Sequence, residues 1–382
     1  MTNLLLTDDE LMLQTSVREF VAKELSPRSR EIDEAEYFSH ENWTAMSKLG
    51  LAGIGIPTDL GGSGGGYREM CIAIEEVARG DASASVCLIS HLSLGTHTIN
   101  SFGNEMHLEK FVRPLAAGTK IAAWALTEPN TGSDASALET TAVTHETDYH
   151  INGSKLFISN ADVADVIIVF ATQNTNKKAK GISAFIVEKG APGLTINAQH
   201  GKLGVRGSTT AEVIFSNTRV PKFNLLGKEG SGFHYAMEIL DSSRIVIAAQ
   251  CVGIAQSALD CSLNYSKQRQ SFGKSISEHQ AIQFMLADMA TQIHVSRTAT
   301  MHAATLKDKG VSHTKEAAMA KLVASEMALK VTSDAIQIHG GSGYFKPNPV
   351  ERYFRDARIT TIYEGSSEMQ RLVIARQLLK GL

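Results

Sequence analysis

The sequence predicts an α+β protein built in three blocks: a helical block, a β block and a C-terminal helical bundle. Apolar residues recur at helical spacing up to about residue 120 and again after about residue 232. Between them the period changes to short β-branched runs punctuated by Gly and Pro. Helices and strands are segregated rather than alternating, which argues against βαβ units and a parallel sheet. With 382 residues and 43% hydrophobic content, the chain can fill two or three domains or subdomains. The boundaries read as 1–120, 121–231 and 232–382.

Thr7 followed by Glu10 forms a capping box that opens the first helix. Leu11, Val17, Phe20, Val21 and Leu25 make its apolar stripe, and Pro27 follows its end. The run Gly61-Gly62-Ser63-Gly64-Gly65-Gly66 has no clear strand before it and no GK[ST] after it. It reads as a flexible connection, with a phosphate loop as the other reading. The helix it leads into starts near Tyr67 and carries Ile72, Ile74, Val77 and Ala78.

In the β block, Asn152-Gly153 signals a hairpin. Val166 to Phe170 is a short apolar run fit for a buried strand, while Ile182, Ala184 and Ile186 alternate, as do Val213 and Phe215. Turn signals stand at Gly181, Pro192-Gly193, Gly204 and Pro221. The last block predicts long helices near 233–267, 278–309 and 314–339 and a final helix after Ser367. Loops are expected at 271–277, around Gly310 and from Gly340 to about Thr361. Long helices with short connections imply a four-helix bundle.

Composition narrows the function classes. The 37 basic and 40 acidic residues give a net charge of −3, with no basic patch to suggest nucleic acid. Residues 1–10 lack a basic n-region, so no secretory signal is expected. The apolar stretch from Ile245 to Leu259 is broken by Gln250 and Gln256, which is too polar for a membrane span. Cys71, Cys87, Cys251 and Cys261 form no CxxC pair and read as buried free thiols. His91, His294, His302 and His339 have no metal-like grouping, so no metal is expected. The reading is a cytoplasmic protein; a processed organellar enzyme would look the same.

The stretch of greatest chemical interest is Arg355 to Arg371. Ile359-Thr360-Thr361-Ile362 reads as extended, and Ser367 with Gln370 reads as the capping box of the last helix. Glu364 stands at the join, before Gly365. A carboxylate there can be aimed into a pocket; equally, it can be an exposed Glu favoured by a helix dipole. Two nucleotide motifs fail. Gly53-Ile54-Gly55 is followed by Pro57, with Thr58 in place of the third Gly. Gly273-Lys274-Ser275 has Gln268 where a P-loop needs its first Gly.

Three segments in order carry a family resemblance: Ala125-Leu126-Thr127-Glu128-Pro129-Asn130-Thr131-Gly132-Ser133-Asp134, Gln337-Ile338-His339-Gly340-Gly341-Ser342-Gly343-Tyr344 and Ile362-Tyr363-Glu364-Gly365-Ser366-Ser367-Glu368. Together they closely resemble the signatures of the acyl-CoA dehydrogenase family over nearly the whole chain. Ser366 stands where that family commonly has Thr. The resemblance implies FAD held between the β block and the bundle. Trp124, Leu126, Thr127, Gly132 and Ser133 would run along the flavin. Lys155, Leu156, Phe157, Ile158 and Ser159 would cover one face, with Phe157 where the family frequently has Trp, so the indole N–H is missing. Arg269, Phe272 and Gln280 would reach a neighbouring subunit's FAD, the guanidinium suiting a pyrophosphate. Their plain readings are a helix-terminal cation and, for Gln280, the capping partner of Ser277. Gln337, Gly340 and Gly341 would pass the phosphates, and Ser366 and Glu368 complete the cofactor set.

For substrate, the resemblance implies Ser133, Asp241, Arg244 and Gly365 on the acyl-CoA and Glu364 as the catalytic base. Some branches of the family carry the base directly before the Arg. That position here is Ser243, which cannot serve. The implied reaction is α,β-dehydrogenation of an acyl-CoA thioester to the trans-2-enoyl-CoA, with electrons passed to an electron-transferring flavoprotein, in a homotetramer. Rivals are an acyl-CoA oxidase or monooxygenase using O₂ on the same fold, and a non-catalytic scaffold relative. Chain length depends on pocket depth, around 89–95 and 236–240.

Overall fold

Thr7 caps the first helix as the sequence predicts. Its hydroxyl accepts from the Glu10 amide at 3.3 Å, and Glu10 Oε2 accepts from the Thr7 amide at 2.8 Å. Helix α1 (Asp8–Phe20) follows, in a computed structural model that describes residues 6–380. Residues 1–5 and 381–382 lie outside the described residues. After the glycine run come α2 (Tyr67–Gly80) and α3 (Ala82–Ile89). The inward face of α2, with Met70, Ile74 and Val77, is buried.

The β block holds β1 (Ala122–Ala125), β2 (Thr141–Thr144), β3 (Asp148–Ser159), β4 (Val166–Thr172), β5 (Ile182–Glu188), β6 (Leu194–Gln199), β7 (Thr210–Pro221) and β8 (Leu225–Leu226). Their order in the sheet is β6-β7-β3-β2-β4-β5-β8, with β1 parallel to β4. Both faces of β4 and nearly all of β5 are buried, as their apolar composition requires. One face joins the large core shared with the helices, and the other closes a second core around Ile151, Val169, Phe185 and Val213.

Asn152-Gly153 does not make the expected hairpin. Both residues lie inside β3, where pairing to β7 slips between Ile151 and Gly153. Gly153 adopts φ +141°, and a Cβ there would come within 2.6 Å of Thr140 Oγ1. The glycine therefore serves a bulge. The chain reverses instead at residues 145–147, where the His145 amide donates to Asp148 O at 2.8 Å.

The bundle comprises α4 (Gly232–Gln268), α5 (Gln280–Asp308), α6 (Thr314–His339), α7 (Val350–Arg358) and α8 (Ser367–Leu379). Helix α4 is central, packing on α6, α2 and α5. It approaches α2 so closely that a Cβ on Gly253 would lie 2.2 Å from Glu75 O. By length and composition α4 could cross a membrane, but 83% of its most apolar window is buried in protein. Arg297 of α5 pairs with Glu75 of α2 at 2.8 Å, tying the first block to the bundle.

Three local expectations are corrected here. The segment 340–361 is not a loop, because it contains α7. Its charges mask the helical period, and tertiary pairs satisfy them: Arg355 meets Asp33 at 2.6 Å, and Asp356 accepts from the Val205 amide at 2.6 Å. Residues 359–361 are a 3₁₀ turn rather than extended. The Thr360 hydroxyl donates back to Ala357 O at 2.7 Å, so a β-branched residue serves the helix end. Finally, the caps shift. Ser366 rather than Ser367 caps α8, accepting from the Met369 amide. Before α5 the capping box is Ser275 with Glu278, and Gln280 is simply the first helical residue.

Candidate active site

Glu364 sits between α7 and α8 with φ +50°, followed by Gly365 with φ +93°. A left-handed Glu is uncommon and persists only where its surroundings hold it. Those surroundings are specific. Ser243 Oγ on α4 donates to Glu364 Oε2 and also lies 3.2 Å from Leu240 O. The phenol of Tyr363 donates to Gln250 Oε1 on α4, and Gln250 in turn reaches Ser85 Oγ on α3 at 2.9 Å. Gln370 Nε2 on α8 donates to Gly365 O at 2.8 Å and to Glu364 O at 3.3 Å. Lys321 Nζ on α6 donates to the same Gly365 oxygen at 2.8 Å.

The electrostatics follow from burial. Enclosure by protein raises the Glu364 carboxyl to about 7, with the Ser243 hydroxyl, Lys321 and Arg244 pulling the other way. The carboxylate is thus enclosed although the residue as a whole keeps intermediate exposure. Burial likewise lowers Lys321 to about 8. Arg244, the residue after Ser243, donates to Asp241 Oδ1, and the Thr314 hydroxyl holds Asp241 Oδ2 at 2.8 Å. Arg244 Nε is buried without a partner among the described residues. The backbone N–H of Glu364 also finds no acceptor there. A carboxylate near neutrality, a free amide and an unpartnered guanidinium N–H thus converge: a general base with hydrogen-bond donors at hand.

Gly365 cannot be replaced without loss. A Cβ would come within 2.6 Å of Gln370 Nε2, and φ +93° strains any L side chain. Gly365→Ala should destabilise the native state by about 1–3 kcal/mol and displace the Gln370 bond. Urea unfolding beside steady-state turnover checks both.

A second group gathers around β1 and β3. Trp124 is buried in β1 against Phe170, with its Nε1 unpartnered among the described residues. Leu126 is buried beside it, and the Leu156 amide donates to Thr127 O at 2.9 Å. Beneath lies a fully buried ion pair, Lys155 Nζ to Glu128 Oε1 at 2.7 Å. Lys155 also reaches Leu126 O at 3.1 Å, and Glu128 accepts from the Glu139 and Thr140 amides at 2.5 and 2.9 Å. Burial opposes the Glu128 charge, but Lys155 and those donors outweigh it and hold the carboxyl low. Ile158 is buried and Ser159 half-buried, whereas Phe157 between bulged pairs has φ +60° and is 66% exposed. Gly132 and Ser133 are exposed on the loop, and nothing lies near a Cβ on Gly132.

The remaining candidates lie on other parts of the bundle, except Glu368, which follows Glu364 by four residues. Arg269 ends α4, and Phe272, 96% exposed at φ +52°, tips the ribbon of Gln270–Ser271 with Lys274–Ser275. From Arg244 to Arg269 the helix rises about 38 Å at 1.5 Å per residue, so these two residues serve different ends of the molecule. Gln337, Gly340 and Gly341 end α6 on an exposed face. His339 there stacks on Tyr265 at 4.3 Å, beside an open cavity of about 770 Å³. Gln280 is exposed at the start of α5, and Glu368 is exposed on the first turn of α8.

An aromatic, hydrogen-bonding cofactor fits these residues. Phe157 and Phe272 are large rings turned outward at positive φ, Trp124 Nε1 is unpartnered, and Gly132, Gly340 and Gly341 leave open space. Among the described residues no group of three metal-ligating side chains occurs. Sequence reasoning misses Lys321. It reads Lys155 only as part of the segment over the flavin and Gln370 only as a capping partner, not as donors to Glu128 and to Gly365 O. The one available signal was a lone cation inside an apolar run, as at Lys321 between Ala317 and Ala324.

Family comparison agrees with this architecture. Residues 7–119, 123–218 and 230–379 match the acyl-CoA dehydrogenase N-terminal, middle and C-terminal domains. An acyl-CoA dehydrogenase of Bacillus subtilis is 47% identical over 375 residues, covering 98% of this chain and 99% of that one. Butyryl-CoA dehydrogenase from Megasphaera elsdenii superposes with a TM-score of 0.96 at 42% identity, covering 98% and 99%. A chain in the structure described as the electron transferring flavoprotein of Acidaminococcus fermentans gives 0.97 at 46% identity, also covering 98% and 99%. The chain belongs to the acyl-CoA dehydrogenase family. It is an oxidoreductase that acts on CH–CH donors.

Proposed function

We propose that this protein dehydrogenates a short-chain acyl-CoA at its α,β bond, with Glu364 as the base that takes the α-proton. The observation that carries this is the enclosed Glu364 carboxylate, near neutrality and hydrogen-bonded by Ser243. The unpartnered Glu364 amide would donate to the thioester oxygen as charge develops there. Asp241 and Arg244 would hold the thioester end, with Ser133 and Gly365 completing the substrate contacts. The butyryl-CoA relative favours a short acyl chain.

FAD fits the residues around Trp124, Leu126, Thr127, Gly132, Ser133 and Phe157 to Ser159, with Ser366 and Glu368 from α8. When bound, it would accept the hydride from the β-carbon. Arg269, Phe272, Gln280, Gln337, Gly340 and Gly341 would serve the cofactor of a neighbouring subunit in a homotetramer, because α4 carries Arg269 so far from Arg244. An electron-transferring flavoprotein would be the acceptor, consistent with the relative solved under that description. Bacterial relatives favour a cytoplasmic enzyme. The domain division is drawn at 120/121 and 231/232.

The deciding experiment is anaerobic flavin bleaching across acyl-CoA thioesters from short to long, with branched members. Complete bleaching by butyryl-CoA supports the reading. No bleaching by any thioester overturns it, and rapid oxygen consumption with substrate would favour an oxidase. Arg269→Ala should lower bound flavin and loosen the assembly, read by flavin absorbance and sedimentation. A monomer that keeps its full flavin would remove the shared-site proposal.

A further inference from the structure

Lys321 is fully buried on α6, in a run of residues that is otherwise apolar. Buried lysines normally have an acidic partner. Among the described residues no carboxylate forms an ion pair with this one, and its hydrogen bond goes to Gly365 O at 2.8 Å. Gly365 is the left-handed residue directly after the base. The same oxygen accepts from the neutral amide of Gln370, also at 2.8 Å. One carbonyl therefore takes a charged donor from α6 and a neutral donor from α8.

We propose that Lys321 is a positioning residue for the base, fixing Glu364 through the Gly365 carbonyl and through its own buried positive charge. This rests on Glu364 being the base. The ammonium fixes the peptide that follows Gly365, so the strained Glu364-Gly365 pair keeps its carboxylate toward Ser243. Its charge, in a low-dielectric enclosure, favours the ionised carboxylate. The other groups facing Glu364 are Ser243 and Arg244 of α4, Arg244 being already paired with Asp241, and its own neighbour Tyr363. Cys251 and Glu368 lie in the field of Lys321, and Gln370 carries no charge. Lys321 is thus the one cation at the base without a carboxylate partner of its own among the described residues.

The test compares Lys321→Met with Gln370→Met in the flavin-loaded enzyme. In Lys321→Met the acidic limb of kcat/KM should move alkaline by about one pH unit. A base titrating near 7 would then be ionised in about one molecule in eleven at pH 7, down from one half, a loss of about fivefold. Part of that loss should return at higher pH. Infrared titration of the Glu364 carboxyl, with Glu364→Gln as the blank, should report the same shift without turnover. Gln370→Met should lower kcat with the limb in place, since it loosens the same carbonyl without changing charge. An unmoved limb and carboxyl titration in folded Lys321→Met overturn the proposal. If that variant does not fold, Lys321→Gln carries the same readouts, and failure of both to fold makes Lys321 structural and also overturns it. Failure of the base assignment looks different: Glu364→Gln would then turn over normally.

Discussion

Glu364→Gln should fold, bind flavin and acyl-CoA, and lose about 10²–10⁴-fold in turnover, the typical cost of removing a general base. Gln keeps the size and can still meet Ser243, but it cannot take the α-proton at neutral pH. Hydride departure depends on that proton leaving, so flavin bleaching by substrate should slow with turnover. Exchange of the substrate α-proton with solvent should stop as well. In the wild type, kcat/KM should rise with pH through a limb near 7, where the buried carboxyl ionises. The stability consequence has a definite sign. The folded pKa of about 7 lies above the ordinary 4.5, so between those values the native state keeps a proton that the unfolded chain has lost. Native stability therefore falls as pH rises through that window, and Glu364→Gln should abolish this part of the slope. Near-normal bleaching of Glu364→Gln by substrate would place the base elsewhere.

The fold was legible because its main signals are periodic. The stripe behind the Thr7 cap, the apolar run of β4 and the three long bundle helices all appear where the sequence predicts them. The failures have local causes. Asn152-Gly153 carries turn chemistry, but the same positive-φ tolerance serves a bulge when β7 lies alongside. Helix α7 is masked by Glu351, Arg352, Arg355, Asp356 and Arg358. Glu351 pairs with Arg355 and Arg352 with Asp356 along the helix, while Arg355 and Asp356 also find Asp33 and Val205, remote in sequence. At the site, Glu364 was marked by its motif. Ser243 was read only as a position left without a base, although it is the hydroxyl on that carboxylate. Lys321 and Gln370 were invisible as a pair because they meet only through a backbone oxygen, 44 and 5 residues from their own positions. Side chains that act on backbone leave no spacing rule in the sequence.

Lys155→Met should cost about 3–5 kcal/mol of stability, because it leaves a buried carboxylate without its cation. Lys155 is fully buried and Glu128 nearly so, at 2.7 Å from each other. The Glu139 and Thr140 amides still donate to Glu128, which sets the loss toward the lower end. In the wild type the Glu128 carboxyl is held below its ordinary range, so its share of the stability is present above that range and is lost as pH falls. Burial lowers Lys155 to about 8 and so offsets part of what the pair contributes near neutrality. In Lys155→Met the sign reverses, because burial without the cation raises the carboxyl. That variant should gain stability as pH falls and Glu128 takes a proton. Glu128→Gln with Lys155→Met should recover much of the loss, since no charge is then left buried. The pair also fixes the loop that leads from Trp124 to Ser133: Lys155 bonds Leu126 O, and Leu156 beside it bonds Thr127 O. Lys155→Met should therefore weaken flavin retention more than a stability loss of equal size introduced in α1, such as Val17→Ala. Urea unfolding at pH 5 and pH 8, with flavin release followed by fluorescence, checks both parts. A variant as stable as the wild type at pH 8 would show that the pair adds nothing to the loop it joins.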